Sequence, residues 1–265
     1  MKIKLDGVAE TLLIPLAAKA WETRRKSPRI VDRDAVEMMG KIDYDFSKFD
    51  KPGSKQGVIA RSMILDREVQ KYADTYADAV CICIGCGLDT RYERIHHGKM
   101  RWYNLDFPEV IRLRKQLLRE GKNVSCISKS ALNPDWTSEV AEQSEHVLIL
   151  LEGILMYFTE LEVMQLLCII KNKFSNATIL AEIMHPMMVK QSKHHDTIKS
   201  TNATFHWGIK SGKEMEKLCD RLRFEKEWNL TDELLDQGIL FNILGRIPFI
   251  RDKNDKIVKL KVCSP

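Results

Sequence analysis

One stretch narrows what this chain can fold into more than any other: Cys81-Ile82-Cys83-Ile84-Gly85-Cys86-Gly87-Leu88-Asp89-Thr90-Arg91. A β-branched apolar run feeds a glycine turn, and the next strand-like run, Trp102-Tyr103-Asn104-Leu105, ends on Asp106. An open α/β sheet presents a ribose-bearing ligand in this way. Its glycines let the backbone approach closely, and its carboxylate accepts hydrogen bonds from the ribose hydroxyls. A dinucleotide site usually adds a third glycine three residues after the second, for close helix packing. Thr90 stands there instead, which favours S-adenosylmethionine over a dinucleotide.

Strand and helix patterns alternate from this point. Periodicity predicts strands near 79–84, 101–105, 124–128, 146–151 and 177–183, with helices near 89–96, 108–120, 136–142 and 160–173. Such alternation means an α/β fold with a mostly parallel sheet and helices on both faces. Three helical stretches precede it, at 9–25, 34–42 and 58–76, with a loop expected at Lys51-Pro52-Gly53-Ser54. After it come a polar, histidine-bearing insertion (187–200), a helix near 213–221, and strands near 224–229 and 256–262 that suit an antiparallel edge. We read one domain: a helical cover over 1–78, a cofactor-binding core over 79–183, and a lid with closing strands over 184–265.

Composition excludes more than it identifies. In 265 residues the net charge is +5, with 44% hydrophobic and 30% charged residues, ordinary for a globular enzyme. No apolar run approaches the roughly 18–20 residues that span a bilayer. The start Met1-Lys2-Ile3-Lys4-Leu5-Asp6 lacks a secretory core, so a cytoplasmic protein without a membrane partner is expected. The basic clusters Arg24, Arg25, Lys26, Arg29 and Arg112, Arg114, Lys115, Arg119, Lys122 carry no interleaved aromatics. They read as solvated helix faces, not as a nucleic-acid footprint. Seven cysteines, four of them (Cys81, Cys83, Cys126, Cys168) in apolar segments, read as reduced core thiols. Alternation puts Cys81 and Cys83 on one strand face and Cys86 in the turn, with no further ligand at zinc-like spacing. No metal is expected.

Five ordered strings resemble a known family. They are Leu12-Leu13-Ile14-Pro15-Leu16-Ala17-Ala18-Lys19-Ala20, Ile42-Asp43-Tyr44-Asp45-Phe46-Ser47-Lys48-Phe49, the glycine turn, Trp102 to Val110, and Glu152-Gly153-Ile154-Leu155-Met156-Tyr157-Phe158. Together they resemble the S-adenosylmethionine-dependent O-methyltransferases of the tetracenomycin polyketide type, within the leucine carboxyl methyltransferase family. The resemblance implies a Rossmann-like class I methyltransferase fold with a small-molecule acceptor. It places Gly85 and Gly87 against the cofactor's methionine part, Asp106 on the ribose, Phe107 beside the adenine, and Lys19 and Arg61 on the cofactor carboxylate. Glu152 and Tyr157 would line the reacting centre, with Glu152 holding the ammonium or sulfonium end by charge. The family often places an acid after the third strand to bind adenine. Here the segment reads Ser128-Lys129-Ser130-Ala131-Leu132-Asn133, so Ser130 and Ala131 take that place, with Ser130 or Asn133 as acceptor.

Three readings compete with a small-molecule O-methyltransferase: a protein C-terminal carboxyl methyltransferase, a nicotinamide oxidoreductase, and a binding protein without catalysis. A carboxylate acceptor needs no general base. A phenol, with a reference pKa of about 10, gains from one, and His185 or His206 is then the candidate. His194 and His195 are further histidines of the same region, more simply read as surface residues. Met156, Met184, Met187 and Met188 are candidates for an apolar acceptor wall.

Overall fold

The computed structural model describes residues 1–3, 7–96, 98–140, 144–190, 201, 203–234 and 251–264. Its centre is a seven-stranded sheet in the order β3-β2-β1-β4-β5-β7-β6. The strands are β1 (Val80–Ile84), β2 (Arg101–Asp106), β3 (Val124–Ser128), β4 (Val147–Leu151), β5 (Thr178–Ile183), β6 (Leu222–Asn229) and β7 (Lys256–Val262). The first five pair in parallel, while β7 runs antiparallel between β5 and the edge strand β6. Every predicted strand is present. The chain runs outward from β1 to β3 and returns to β4, so a crevice opens beyond the carboxyl ends of β1 and β4.

The period of two along β1 assigns its side chains to two cores. Val80, Ile82 and Ile84 pack with Leu166, Ile170 and Trp207 on one face. Cys81 and Cys83 pack with Ile64, Leu65 and Val69 on the other. Burial pushes all three thiols of this region up, Cys83 to about 12, as suits inert core cysteines. A third core lies beneath the leading helices, where Leu13, Leu16 and Ala17 meet Met38, Phe49, Met156 and Phe205.

The helices depart from the sequence reading in physically legible ways. The stretch predicted as a helix over 9–25 divides into a 3-10 segment (Gly7–Leu12) and α1 (Leu13–Thr23). Pro15 sits in the first turn of α1 and has no N–H to continue the upstream ladder. After α2 (Arg33–Lys41), the expected loop at 51–54 is instead the start of α3 (Pro52–Thr75), with Pro52 as its first residue. The helix near 89–96 shrinks to α4 (Arg91–Arg94), and 108–120 to α5 (Pro108–Leu117). In place of a helix over 136–142 there is a 3-10 turn (Pro134–Ser138) capped by Asn133; 141–143 lie outside the described residues. α6 (Glu160–Lys173) matches its expected span. α7 covers Pro186–Lys190, and the remainder of the expected insertion, 191–200, lies outside the described residues. The helix near 213–221 reduces to α8 (Gly212–Met215), and β6 begins at 222, not 224. No helix among the described residues is long and apolar enough to cross a membrane.

α6 follows the loop that carries Glu152 and Tyr157, and a capping box fixes its entry. The Glu162 N–H donates to Thr159 Oγ1 at 3.3 Å, and the Thr159 N–H donates to Glu162 Oε2 at 2.7 Å. Thr159→Ala should cost about 1 kcal/mol and lower the melting temperature by about 2–4 °C, read by thermal denaturation. An unchanged midpoint would show that tertiary packing alone sets the helix start.

Candidate active site

A cavity of about 920 Å³ opens at the carboxyl edge of the sheet under α1 and α3. Lys19, Arg61, Gly85, Gly87, Asp106, Phe107, Ser130, Ala131, Glu152 and Tyr157 all line it, so every position carried over from the resemblance comes to one place.

The glycine turn forms its floor. Gly85 and Gly87 have φ of +71° and +49°, in the left-handed region that disfavours side chains. A Cβ on Gly85 would meet Ile154 Cδ1 at 2.6 Å. Asp106 locks the turn from the next strand. Its Oδ2 accepts the Gly87 N–H, and its Oδ1 accepts the Phe107 N–H, each at 2.8 Å. It does not cap α5, whose N-cap is Phe107. Burial pushes the Asp106 carboxyl up, and the two N–H donors counter that only in part. Phe107 is 49% exposed at the cavity wall, an apolar side chain that an adenine can cover.

Behind the turn lies a buried charge network that sequence reasoning saw only in part. Arg91, with a fully buried side chain, donates to Asp66 (2.6 Å), Asp89 (2.9 Å) and Glu152 (2.6 Å). Arg61 donates through Nε to Glu152 Oε1 and through Nη1 to Glu182 Oε2, both at 2.9 Å. Glu182 Oε2 also accepts the Gly153 N–H at 2.7 Å. Burial would raise the Glu152 carboxyl, but Arg91 and Arg61 overcome it and hold the group below its ordinary value. Asp89 behaves likewise against Arg91, Lys19 and Arg94. Glu182 has Arg61 but not Arg91, and burial prevails, raising its carboxyl.

The structure adds partners to one basic residue and corrects the reading of another. Lys19 reaches the cavity wall, yet its ammonium sits 2.7 Å from Asp89 Oδ1 and 3.7 Å from Asp32, engaged within the protein. Arg114, placed on a solvated helix face, is 2% exposed. It donates to the Asp89 carbonyl at 2.6 Å and the Gly87 carbonyl at 3.3 Å, bracing the turn from α5.

The acceptor half is apolar. Ile14, Met156, Tyr157, Met184, Met188 and Phe205 share one wall, whereas Met187 is 40% exposed and outside it. The Tyr157 ring packs on Phe205 at 5.5 Å, and burial pushes its hydroxyl up to about 12. Neither candidate base lines the cavity. His206 is exposed, and only its backbone N–H turns inward, to the Met156 carbonyl at 2.7 Å. The His185 Nδ1 accepts the Met187 N–H at 3.2 Å. His194 and His195 lie outside the described residues. Asn133 caps its 3-10 turn and is likewise outside the wall, leaving Ser130 and Ala131 at the adenine end.

Sequence reasoning missed Glu182, Asp255 and the Asp66–Arg91–Arg94 cluster. Glu182 alone carried a signal, as a carboxylate inside an apolar strand run. Among the described residues, seven carboxyl groups and three cationic side chains line the cavity. The strand-end acid, the open glycine turn and the half-exposed Phe107 fit S-adenosylmethionine.

Comparison with known proteins agrees. The leucine carboxyl methyltransferase family profile matches residues 12–171. The tetracenomycin polyketide synthesis O-methyltransferase TcmP of Streptomyces glaucescens is 30% identical over 232 residues, 87% of this chain and 86% of that one. The S-adenosyl-L-methionine-dependent methyltransferase dpfgK of Gibberella zeae is 26% identical, over 93% and 94% of the two chains. Among solved structures, a DUF574 family protein from Streptomyces avermitilis superposes with a TM-score of 0.57 at 11% identity, covering 92% of this chain and 96% of that one. The N-methyltransferase NodS of Bradyrhizobium japonicum with S-adenosyl-L-homocysteine does so at 0.52 and 11%, over 98% and 100%. These two likenesses speak for the fold alone. By sequence, fold and cofactor cleft together, the chain belongs to the leucine carboxyl methyltransferase family of S-adenosylmethionine-dependent methyltransferases.

Proposed function

We propose that this enzyme methylates an oxygen, of a carboxylate or a hydroxyl, on a small and largely apolar molecule of polyketide-like character. The observation that carries this is the apolar acceptor wall of Ile14, Met156, Tyr157, Met184, Met188 and Phe205 beneath the leading helices. An apolar wall of that kind fits a compact aromatic frame better than a peptide terminus, whose backbone amides and carbonyls need polar partners. The role of TcmP, named for tetracenomycin polyketide synthesis, supports the same reading.

Bound S-adenosylmethionine supplies a methyl group on a sulfonium, and transfer is an in-line displacement. The protein's work is then mostly proximity, orientation and exclusion of water. Arg61 takes the cofactor carboxylate, Asp106 the ribose hydroxyls, and Ser130 and Ala131 flank the adenine. Glu152, fixed by two arginines, places negative charge beneath the sulfonium. Tyr157 keeps its proton at neutral pH, because its hydroxyl is pushed up to about 12. Its hydroxyl, hydrogen-bonded with Thr11, therefore orients the acceptor oxygen and does not remove a proton.

Tyr157→Phe should lower kcat about tenfold while leaving cofactor affinity unchanged, the loss of about 1.4 kcal/mol of orienting interaction. Parallel turnover and calorimetric measurements check this; a loss confined to cofactor affinity would move Tyr157 to the other half of the site. The acceptor class is tested with methyl-labelled cofactor and three probes: a polycyclic aromatic acid, its phenol counterpart, and a peptide ending in leucine. Label on either aromatic frame supports the proposal. Label on the peptide alone would overturn it in favour of protein carboxyl methylation.

A further inference from the structure

One wall of the cavity is charged in a way the methyl transfer described above does not use. Asp255 lines it just before β7, which pairs with β5 so that Lys256 lies opposite Ile183. Its main chain is tied down: the Leu230 N–H donates to its carbonyl at 3.1 Å, and its own N–H donates to Asn254 Oδ1 at 2.9 Å. Its carboxyl is not. Oδ1 is buried without a hydrogen-bond partner among the described residues, a state that costs free energy unless something arrives to satisfy it.

The neighbours define the charge around this carboxyl. Glu182 on β5 and Arg61 on α3 are the charged groups acting on the Asp255 carboxyl. Arg61 already holds Glu152 and Glu182, and both Glu152 oxygens are taken, one by Arg61 and one by Arg91. Among the described residues of this edge, Lys256 pairs with Glu227, Arg251 with Asp232 and Arg67 with Glu233. Three carboxylates thus share one guanidinium at the cavity wall, with a second arginine serving Glu152 from behind. Carboxyl groups outnumber cations here, and burial together with Glu182 pushes the Asp255 carboxyl up to about 8, so that it holds its proton at neutral pH.

We infer that Asp255, backed by Glu182, supplies the counter-charge for the α-ammonium group of the cofactor's methionine end, and that the arriving ammonium displaces a proton from this carboxyl pair to solvent. Arg61 pairs with the neighbouring carboxylate of the same ligand, so the zwitterion meets both signs. The balance is simple: one carboxyl O–H bond breaks, the proton goes to buffer, and the carboxylate pairs with the ammonium. This assigns Glu152 to the sulfonium end alone. It rests on the cofactor assignment and is independent of the acceptor.

Calorimetry on the whole protein, in buffers of different ionisation enthalpy, reads the proton directly. The probes are S-adenosylhomocysteine, which carries the amino-acid end, and 5′-methylthioadenosine, which lacks it. S-adenosylhomocysteine should release close to one proton per site at pH 7, and its affinity should rise about tenfold from pH 6 to pH 7 by linkage. Methylthioadenosine should release none. Asp255→Asn, near-isosteric with the neutral carboxyl, should abolish the release and flatten the pH dependence while leaving methylthioadenosine affinity unchanged. Binding of S-adenosylhomocysteine without proton release, or equal release from the variant, overturns the inference and leaves the cofactor assignment standing. The two-ligand comparison on the unaltered protein decides the matter even where the variant folds poorly. Failure of both ligands to bind overturns the cofactor assignment as well.

Discussion

Replacing Arg91 by methionine should cost about 3–5 kcal/mol of stability, the range for removing one partner of a buried ion cluster. Out of a typical total of about 5–15 kcal/mol, that lowers the melting temperature by roughly 6–20 °C. The cause is what is left behind. Asp66, Asp89 and Glu152 each lose a guanidinium contact shorter than 3 Å, and the methionine fills the space without supplying charge. Arg94 still reaches Asp66 and Asp89, but Glu152 keeps only Arg61. Arg91→Lys should not rescue the protein, because one ammonium cannot reproduce a three-way fork.

The pH dependence has a definite sign. Asp89 and Glu152 are held below their ordinary values in the folded protein. Their contribution is therefore present above about pH 4 and lost as pH falls through the folded-state values. In Arg91→Met the stranded carboxylates gain by taking up protons, so the deficit relative to the native protein should narrow as pH falls from 8 towards 4. Thermal denaturation of both proteins across that range checks it. Equal melting temperatures at pH 7 would show that the cluster contributes nothing net.

Asp106→Ala should weaken S-adenosylhomocysteine binding by about a hundredfold or more. Two ribose hydroxyls donating to a carboxylate contribute about 1.5–3 kcal/mol each, and 1.4 kcal/mol is tenfold in affinity. The same carboxylate holds the Gly87 and Phe107 N–H groups, so the variant also loosens the turn on which the ligand sits. Asp106→Asn keeps one acceptor oxygen and should fall between the two. Burial raises this carboxyl, so protonation should begin to erode affinity at a higher pH than for a solvated aspartate. Calorimetry on the three proteins reads both effects, and native affinity in the alanine variant would remove Asp106 from the site.

The glycine turn and the strand-end acid that meet at the cavity were legible because they obey local rules. A glycine turn after an apolar strand, and an acid where the next strand ends, stand at positions fixed by backbone conformation. The strands were legible for the same reason, as short β-branched runs bounded by turns. The leading helices were readable in type but not in boundary: Pro52 starts α3 although Pro-Gly-Ser reads as a loop. The charge network was not legible. Arg91 pairs across 25 residues with Asp66 and across 61 with Glu152, and no local pattern marks a salt bridge of that reach. Arg114 looked solvated because its neighbours Arg112 and Lys115 are; helical phase alone turns it inward. Asp255 sat in a turn rich in polar residues, where an aspartate needs no explanation until β7 carries it beside Glu182.

The most direct test of the account is a crystal structure of the protein with S-adenosylhomocysteine. The ribose hydroxyls should donate to Asp106, the adenine should cover the Phe107 ring near Ser130 and Ala131, and the amino-acid carboxylate should meet Arg61. The sulfur should point into the apolar chamber beside Tyr157. A ligand whose ribose lies away from Asp106, or whose sulfur faces bulk solvent, would contradict the assignment of this cavity as the methyl-transfer site.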